Sequence, residues 1–199
     1  GHTQEAKTTD TAILQTIEAV NSLAWTKTGA LIIFQREDSL QNIINTGTTI
    51  NADVNAELLK NLFYNKAPLH DGAMVIRDNR IHSAGCILPL SQSAMSFELG
   101  TRHRAGIGIT ESTDAIAVIV SEETGTITLV VNGILKRHLA PETLERLLIK
   151  ELMPVEDEHT DKKGFWNKFM RNEISFEQYN RMYDRFMNDQ RIQEEELRT

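Results

Sequence analysis

Apolar residues recur along the chain with two different periods, and the switch between them predicts helices at both ends of a strand-rich middle. Ile13, Ile17, Val20 and Ala24 are spaced four, three and four apart, which lines one face of a helix over residues 10–25. Gly29 to Phe34 (GALIIF) is a short apolar run with β-branched residues and reads as a buried strand. Thr46 to Ile50 reads as a second short strand. Asn51 or Asp53 then stands where it can cap a helix carrying Val54, Leu58, Leu59, Leu62 and Phe63. Asn65-Lys66-Ala67-Pro68 is a loop signal. From Ala73 the pattern becomes AMVIR, a turn at Asp78-Asn79, and IHSAGCIL, which predicts a β-hairpin closed by Leu88-Pro89-Leu90-Ser91. The polar, glycine-containing stretch around Phe97 to Gly108 is assigned no element. Ala115–Val120 and Thr126–Val131 are strands on either side of an acidic turn, and Asn132-Gly133 is a further turn. Pro141 sits at the first position of a helix bearing Leu144, Leu147, Leu148 and Leu152. The predicted fold class is α/β, a mixed central β-sheet flanked by helices.

Composition divides this picture in two. The chain has 199 residues and a net charge of −7, and at this length one sizeable core is expected. Residues 1–154 hold 13 basic and 17 acidic side chains, residues 155–199 hold 8 and 11, and the latter also carry seven of the twelve aromatics. The expected organisation is a tag scar and flexible start at 1–9, a main body at 10–154, and a charged, aromatic-rich helical extension at 155–199. In that extension Ser175 and Gln178 form a capping-box pair ahead of a stripe of Phe176, Tyr179, Tyr183 and Phe186. Such a stripe reads as a face that docks on the body or on another protomer. The acidic balance excludes affinity built on neutralising nucleic-acid phosphates, which needs clustered Lys and Arg, so no nucleic-acid partner is expected. A single cysteine, Cys86, excludes an intrachain disulfide and reads as core packing in a reducing compartment. No apolar run reaches the roughly 18–20 residues that span a bilayer. Gly1-His2 without a Met reads as the remnant of a cleaved tag, so a natural N-terminal segment is expected to be missing.

Three polar clusters fall at junctions between predicted elements. His70-Asp71-Gly72-Ala73 precedes a strand; an imidazole beside a carboxylate is metal-compatible, while Asp71-Gly72 is equally a plain turn. Gly100-Thr101-Arg102-His103-Arg104-Ala105-Gly106 concentrates donors suited to phosphate oxygens, against the alternative of a solvated basic face. Ser121-Glu122-Glu123-Thr124-Gly125 offers two carboxylates that could ligate a metal or simply occupy an exposed turn. Adjacent His-Asp also occurs in all-helical metal phosphohydrolases, but those need a further upstream His on a helix; here the only upstream His is His2, and His70-Asp71 enters a strand.

In the order DGA, GTRHR, SEETG, with Leu88-Pro89-Leu90 between the first two, the chain over residues 10 to 150 resembles the diadenylate cyclase domain. His70 before Asp71 and the helix preceding the domain resemble the membrane-anchored branch of that family, and no helix-hairpin-helix DNA module follows. The resemblance implies condensation of two ATP into cyclic di-AMP with release of two pyrophosphates, assisted by Mn²⁺ or Mg²⁺. It further implies that Asp71 and the metal activate the ribose 3′-hydroxyl, and that His70 with Glu122 or Glu123 completes the coordination. Gly100, Thr101, Arg102, His103 and Arg104 would take the triphosphate, Ser121 would contact phosphate, and Gly72, Ala73 and the backbone around Leu88 would face ribose and adenine. Arg102, His103 and Arg104 would thus join Asp71 as catalytic. A domain holding one ATP cannot close a cyclic dinucleotide alone, so a face-to-face homodimer is implied, with higher oligomers left open. The implied setting is a cytoplasmic domain of a protein anchored in the cell membrane through the missing segment. The alternative is a regulatory module that binds ATP without cyclising it.

Overall fold

In the computed structural model, residues 2–153 and 162–198 are described, and they divide into two units, Thr11–Leu147 and Gly1–Asp10 with Leu148–Thr199. The acidic run Glu156-Asp157-Glu158 lies outside the described residues. Seven strands form one sheet: β1 (Ala30–Phe34), β2 (Thr48–Asp53), β3 (Ala73–Arg77), β4 (Arg80–Cys86), β5 (Ile116–Val120), β6 (Ile127–Val131) and β7 (Ile134–Lys136), in the order β2-β4-β3-β1-β5-β6-β7. Only β1 and β3 pair in parallel; every other neighbour is antiparallel. Strands in the middle of a sheet covered on both faces read as unbroken apolar runs. β1 and β5 are buried at every residue, whereas the edges β2 and β7 carry exposed positions. Asp78 and Asn79 both have positive φ, as do Asn132 and Gly133, so each hairpin closes through the left-handed pair that matches strand twist.

Helices cover both faces. On one, α4 (Thr101–Ser112) packs across β1, β5 and β6 and joins a cluster with Leu31, Ile33, Val75, Ala117 and Ile119. Alternation sends Ile32, Met74, Val118 and Leu129 to the other face. Ile13 and Val20 of α1 (His2–Trp25) and Leu59 of α3 (Ala56–Leu62) are buried as well, and Gln15 accepts a bond from the Ala56 amide between the two helices. Two short segments, α2 (Gln41–Ile44) and the 3₁₀ turn Pro68–His70, complete the crossover from β1 to β3.

Besides the short α2 and the 3₁₀ turn, the elements differ from the sequence reading in four places. α1 begins at His2, so the expected flexible start is helical. β2 runs on to Asp53, and the cap of α3 is therefore Asn55, whose side chain accepts from the Leu58 amide. β7 was not expected. The unassigned stretch around Phe97 to Gly108 contains α4, despite two interior glycines that would ordinarily disfavour a helix. A Cβ at Gly106 would stand 2.9 Å from Ile119 Cδ1, and one at Gly108 would stand 2.6 Å from the Pro89 carbonyl oxygen. Close approach to the sheet on one side and to the 87–93 chain on the other is what these glycines supply.

In the second unit, α5 (Pro141–Leu152) contributes its last residues, and α6 (Lys162–Met170) and α7 (Phe176–Leu197) form a pair. The capping box is present in both directions, Ser175 Oγ accepting from Gln178 N and Gln178 Oε1 from Ser175 N. Trp166, Phe169, Phe176, Tyr179 and Tyr183 form a chain of tilted and edge-on ring pairs with centroids 5.5–6.2 Å apart. The side chain of Phe186 lies outside the described ones. Arg181 pairs with Asp10 of α1 and with Glu177 one turn back, at 2.9 Å.

Candidate functional site

Strand direction decides which motifs meet. Ile32 stands opposite Met74 in the parallel pair, so β1 and β3 start at the same end of the sheet. Ala30 pairs with Val120 and Ala73 with Cys86, so the antiparallel strands β5 and β4 finish there. Gly29, the His70–Gly72 segment, Ile87 and the Ser121–Glu122 turn therefore emerge from one sheet end. Arg102, in the first turn of α4, reaches that end too. A Cβ on Gly29 would sit 2.4 Å from its Nη1, and Nη1 stands 3.5 Å from Glu122 Oε2. Clusters 31 and 20 residues apart in the chain, Asp71 to Arg102 and Arg102 to Glu122, thus come to one end of the sheet.

Each side chain has a local reason for its place. Gly72 has φ +94°, and a Cβ there would meet the Cys86 carbonyl oxygen at 2.7 Å, so the turn into β3 admits only glycine without displacing β4. His70 Nδ1 lies 2.8 Å from the Ala67 carbonyl oxygen. A carbonyl only accepts, so Nδ1 carries a proton, and in the neutral ring Nε2 is the nitrogen left to ligate. Asp71 is exposed beside it. Ser121 Oγ accepts from the amides of Glu123 and Thr124 at 3.2 and 3.3 Å, which shapes the acidic turn and leaves its own hydrogen available. Gly100 caps α4 without a side-chain bond, so the first-turn amides beside exposed Thr101 retain the partial positive charge of a helix start.

Several predicted residues are placed elsewhere. The side chains of Ala73 and Leu88 are buried in the core, leaving only their backbone near the sheet end. His103 is 8% exposed, its Nε2 is buried without a hydrogen-bond partner, and burial, then Arg137 and Arg102, lower its pKa. A neutral, enclosed imidazole is not the cationic donor that the RHR pattern suggests. Arg104 directs its guanidinium to the Ser91 carbonyl and the Phe97 ring. The expected metal set, His70 and Asp71 with Glu122 or Glu123, is not grouped either: among the described residues no three His, Cys, Asp or Glu side chains come together to hold an ion, Glu122 leaning on Arg102 and Glu123 being exposed. His70 and Asp71 remain a mixed nitrogen and oxygen pair, which suits an ion that takes its other ligands from a bound phosphate. Sequence reading missed Ile87, a large apolar side chain 69% exposed at this end. Alternation from buried Ala84 and Cys86 was the signal for it.

A family model described as DisA bacterial checkpoint controller nucleotide-binding, the DAC domain, matches residues 17–135. The chain belongs to the diadenylate cyclase family. It is 43% identical over 150 residues to the cyclic di-AMP synthase CdaA of Bacillus subtilis, covering 75% of this chain and 55% of that protein. With a diadenylate cyclase of Listeria monocytogenes it shares 46% over 145 residues, covering 72% and 53%. It thus spans about half the length of these curated diadenylate cyclase relatives. A crystal structure of a double cysteine mutant of DacA from Staphylococcus aureus superposes with a TM-score of 0.70 at 43% identity, over 72% of this chain and 97% of that one. A structure titled as a hypothetical membrane spanning protein from Bacillus cereus gives 0.59 at 48% identity, over 61% and 60%. The diadenylate cyclase match accounts for the sheet and its motifs; the family model stops short of α6 and α7.

Proposed function

We propose that this chain condenses two ATP into cyclic di-AMP and two pyrophosphates, each domain contributing one nucleotide across a face-to-face homodimer. The observation that carries the proposal is the meeting of His70-Asp71, Arg102 and Ser121-Glu122 at one sheet end. Thr101, the free amides of the α4 first turn and the Arg102 guanidinium are suited to the triphosphate, as charge-assisted donors around its oxygens. Glu122 holds Arg102 in place when no phosphate is bound, and Ser121 can add a hydroxyl hydrogen bond. Gly72 lets backbone approach the ribose, and exposed Ile87 offers an apolar surface to the base. Asp71 accepts the proton of the 3′-hydroxyl as that oxygen bonds to the α-phosphorus of the facing ATP and the bond to the pyrophosphate oxygen breaks. His70 Nε2 and Asp71 would hold Mn²⁺ or Mg²⁺, which when bound neutralises phosphate charge and lowers the pKa of the hydroxyl. An open face such as this one encloses too little of a ligand of ATP's size, and a second copy closing over it supports the dimer. Similarity to a Bacillus cereus protein described as membrane spanning supports a domain carried by a membrane-anchored protein, with the cytoplasm, where ATP is held, as its setting. Among the described residues no helix is long and apolar enough to cross a membrane.

Incubation with ATP and Mn²⁺ or Mg²⁺, read by mass spectrometry, should yield cyclic di-AMP. Asp71→Asn should lower turnover by at least about 10³-fold while ATP still binds. ATP binding without any product, in a demonstrated dimer, would make the chain a non-cyclising regulatory module instead. Turnover per protomer should also fall on dilution as dimers separate; a constant value would remove the dimer from the reaction.

A further inference from the structure

We propose that Arg104 does not bind phosphate but is a positioning residue that clamps the 87–99 segment onto α4, and so shapes the surface that receives the nucleoside. The proposal rests on the nucleotide reading above. The segment leaves β4 beside Gly72 and ends at Gly100, the cap of α4, so both of its ends belong to the site. Its middle is gripped by one helix face. Arg104 Nη2 donates to the Ser91 carbonyl at 3.2 Å, the Arg104 carbonyl accepts from the Ser91 amide at 3.0 Å, and the guanidinium carbon lies 4.4 Å from the centre of the Phe97 ring. A planar cation placed over an aromatic face while donating in its own plane is a geometry arginine supplies and lysine does not. One and two turns along the helix the same face continues the grip. Gly108 lets the chain at Pro89 come close, and Glu111 accepts from Ser91 Oγ at 3.3 Å. Ser91 Oγ in turn accepts from the Ser93 amide, and the Ser91 carbonyl also receives Ser96 Oγ at 3.1 Å. Arg102 points to Gly29 and Glu122. Two arginines in one motif therefore hold different things, Arg102 the phosphate side and Arg104 the loop.

The test compares Arg104→Met, Arg104→Lys and Arg102→Met. Hydrogen exchange on the ligand-free protein should show the Ser91, Ser93, Ser96 and Leu99 amides exchanging about tenfold faster or more in both Arg104 variants, with β1 and β5 amides unchanged and no change in Arg102→Met. Binding of ATP and of adenosine should weaken by the same factor, about tenfold, in both Arg104 variants, whereas Arg102→Met should weaken ATP alone. Unchanged loop exchange would overturn the proposal, as would a loss confined to ATP or rescue by lysine. If Arg104→Met does not fold, Phe97→Leu removes the aromatic face and should loosen the same amides; if it leaves them protected, the clamp is refuted. Wild-type protein that binds neither ligand would refute the nucleotide reading, and loop exchange would still decide the clamp.

Discussion

β1 and β5 bury all ten of their residues, whereas among the described side chains of α7 only Gln178, its capping residue, is buried. The sheet unit is held by volume: adjacent apolar strands with Ile32, Ile33, Ile116 and Ile119 at or near zero exposure, and α4 pressed on them through Gly106. The helical unit is held by direction: a capping box, a string of ring pairs, and an Arg181–Asp10 ion pair whose side chains are 17% and 11% exposed. A unit built on volume should fail when atoms are removed from its middle. One built on direction should fail when a single partner is removed and recover when both are replaced.

The largest effect is expected in the sheet. Ile119→Ala leaves a cavity beneath Gly106 and should cost about 3 kcal/mol in the unfolding of residues 11–147, measured by urea denaturation followed with strand-sensitive circular dichroism. A loss under about 1 kcal/mol would mean that the sheet relaxes around the gap and that volume is not what holds it. The helical unit should respond less. Arg181→Met removes a cation from the largely enclosed Asp10 and should cost about 2 kcal/mol in that unit alone. The double change Arg181→Met with Asp10→Leu should recover most of this, because the desolvation cost of both charges disappears. Additive losses instead would show that the contact is held by packing, and the contrast between the units would break.

The same contrast explains what could be read from the letters. Runs such as GALIIF and AIAVIV show β1 and β5 directly, since a strand buried on both faces has no alternation to conceal. Asp78-Asn79, Pro141 and the Ser175/Gln178 pair mark boundaries through local chemistry. α4 was hidden because Gly106 and Gly108 disfavour helix locally and are explained only by Ile119 and Pro89, distant in sequence. The start of α3 was misplaced for a related reason: Asn51 can cap, but here it takes φ 50° within β2, which pairs with β4 as far as Asp53. At the site, the motif letters were legible and their convergence was not. It depends on β1 and β3 running parallel while β5 runs against them, and no residue reports that alone. Ala73 and Leu88 stand in the DGA and LPL motifs, whereas alternation along β4 points to Ile87.

The smallest effect separates the units by pH. His103 is enclosed by α4 near Arg102 and Arg137, and His82 lies in β4 near Arg77; burial first and then these cations lower both pKa values below the usual 6.5. The unfolded chain therefore binds more protons than the folded sheet unit between the lowered values and 6.5. Stability must then decline as pH falls through 6.5 and stop declining below the folded-state values. The helical unit shows the same sign of linkage in a lower pH window. Glu173, hydrogen-bonded to Arg171 at 2.7 Å, has a pKa below its usual 4.5, so its contribution is intact above 4.5 and is lost only as pH falls lower. Acidification from pH 7 to 5 should thus shift the thermal transition of residues 11–147 downward and leave that of α6 and α7 in place. His103→Gln, which cannot take up a proton, should flatten part of the decline in the sheet unit. An unchanged slope in His103→Gln would mean that the imidazole is already reached by water in solution, and that the first turn of α4 is looser than the rest of the body it packs on.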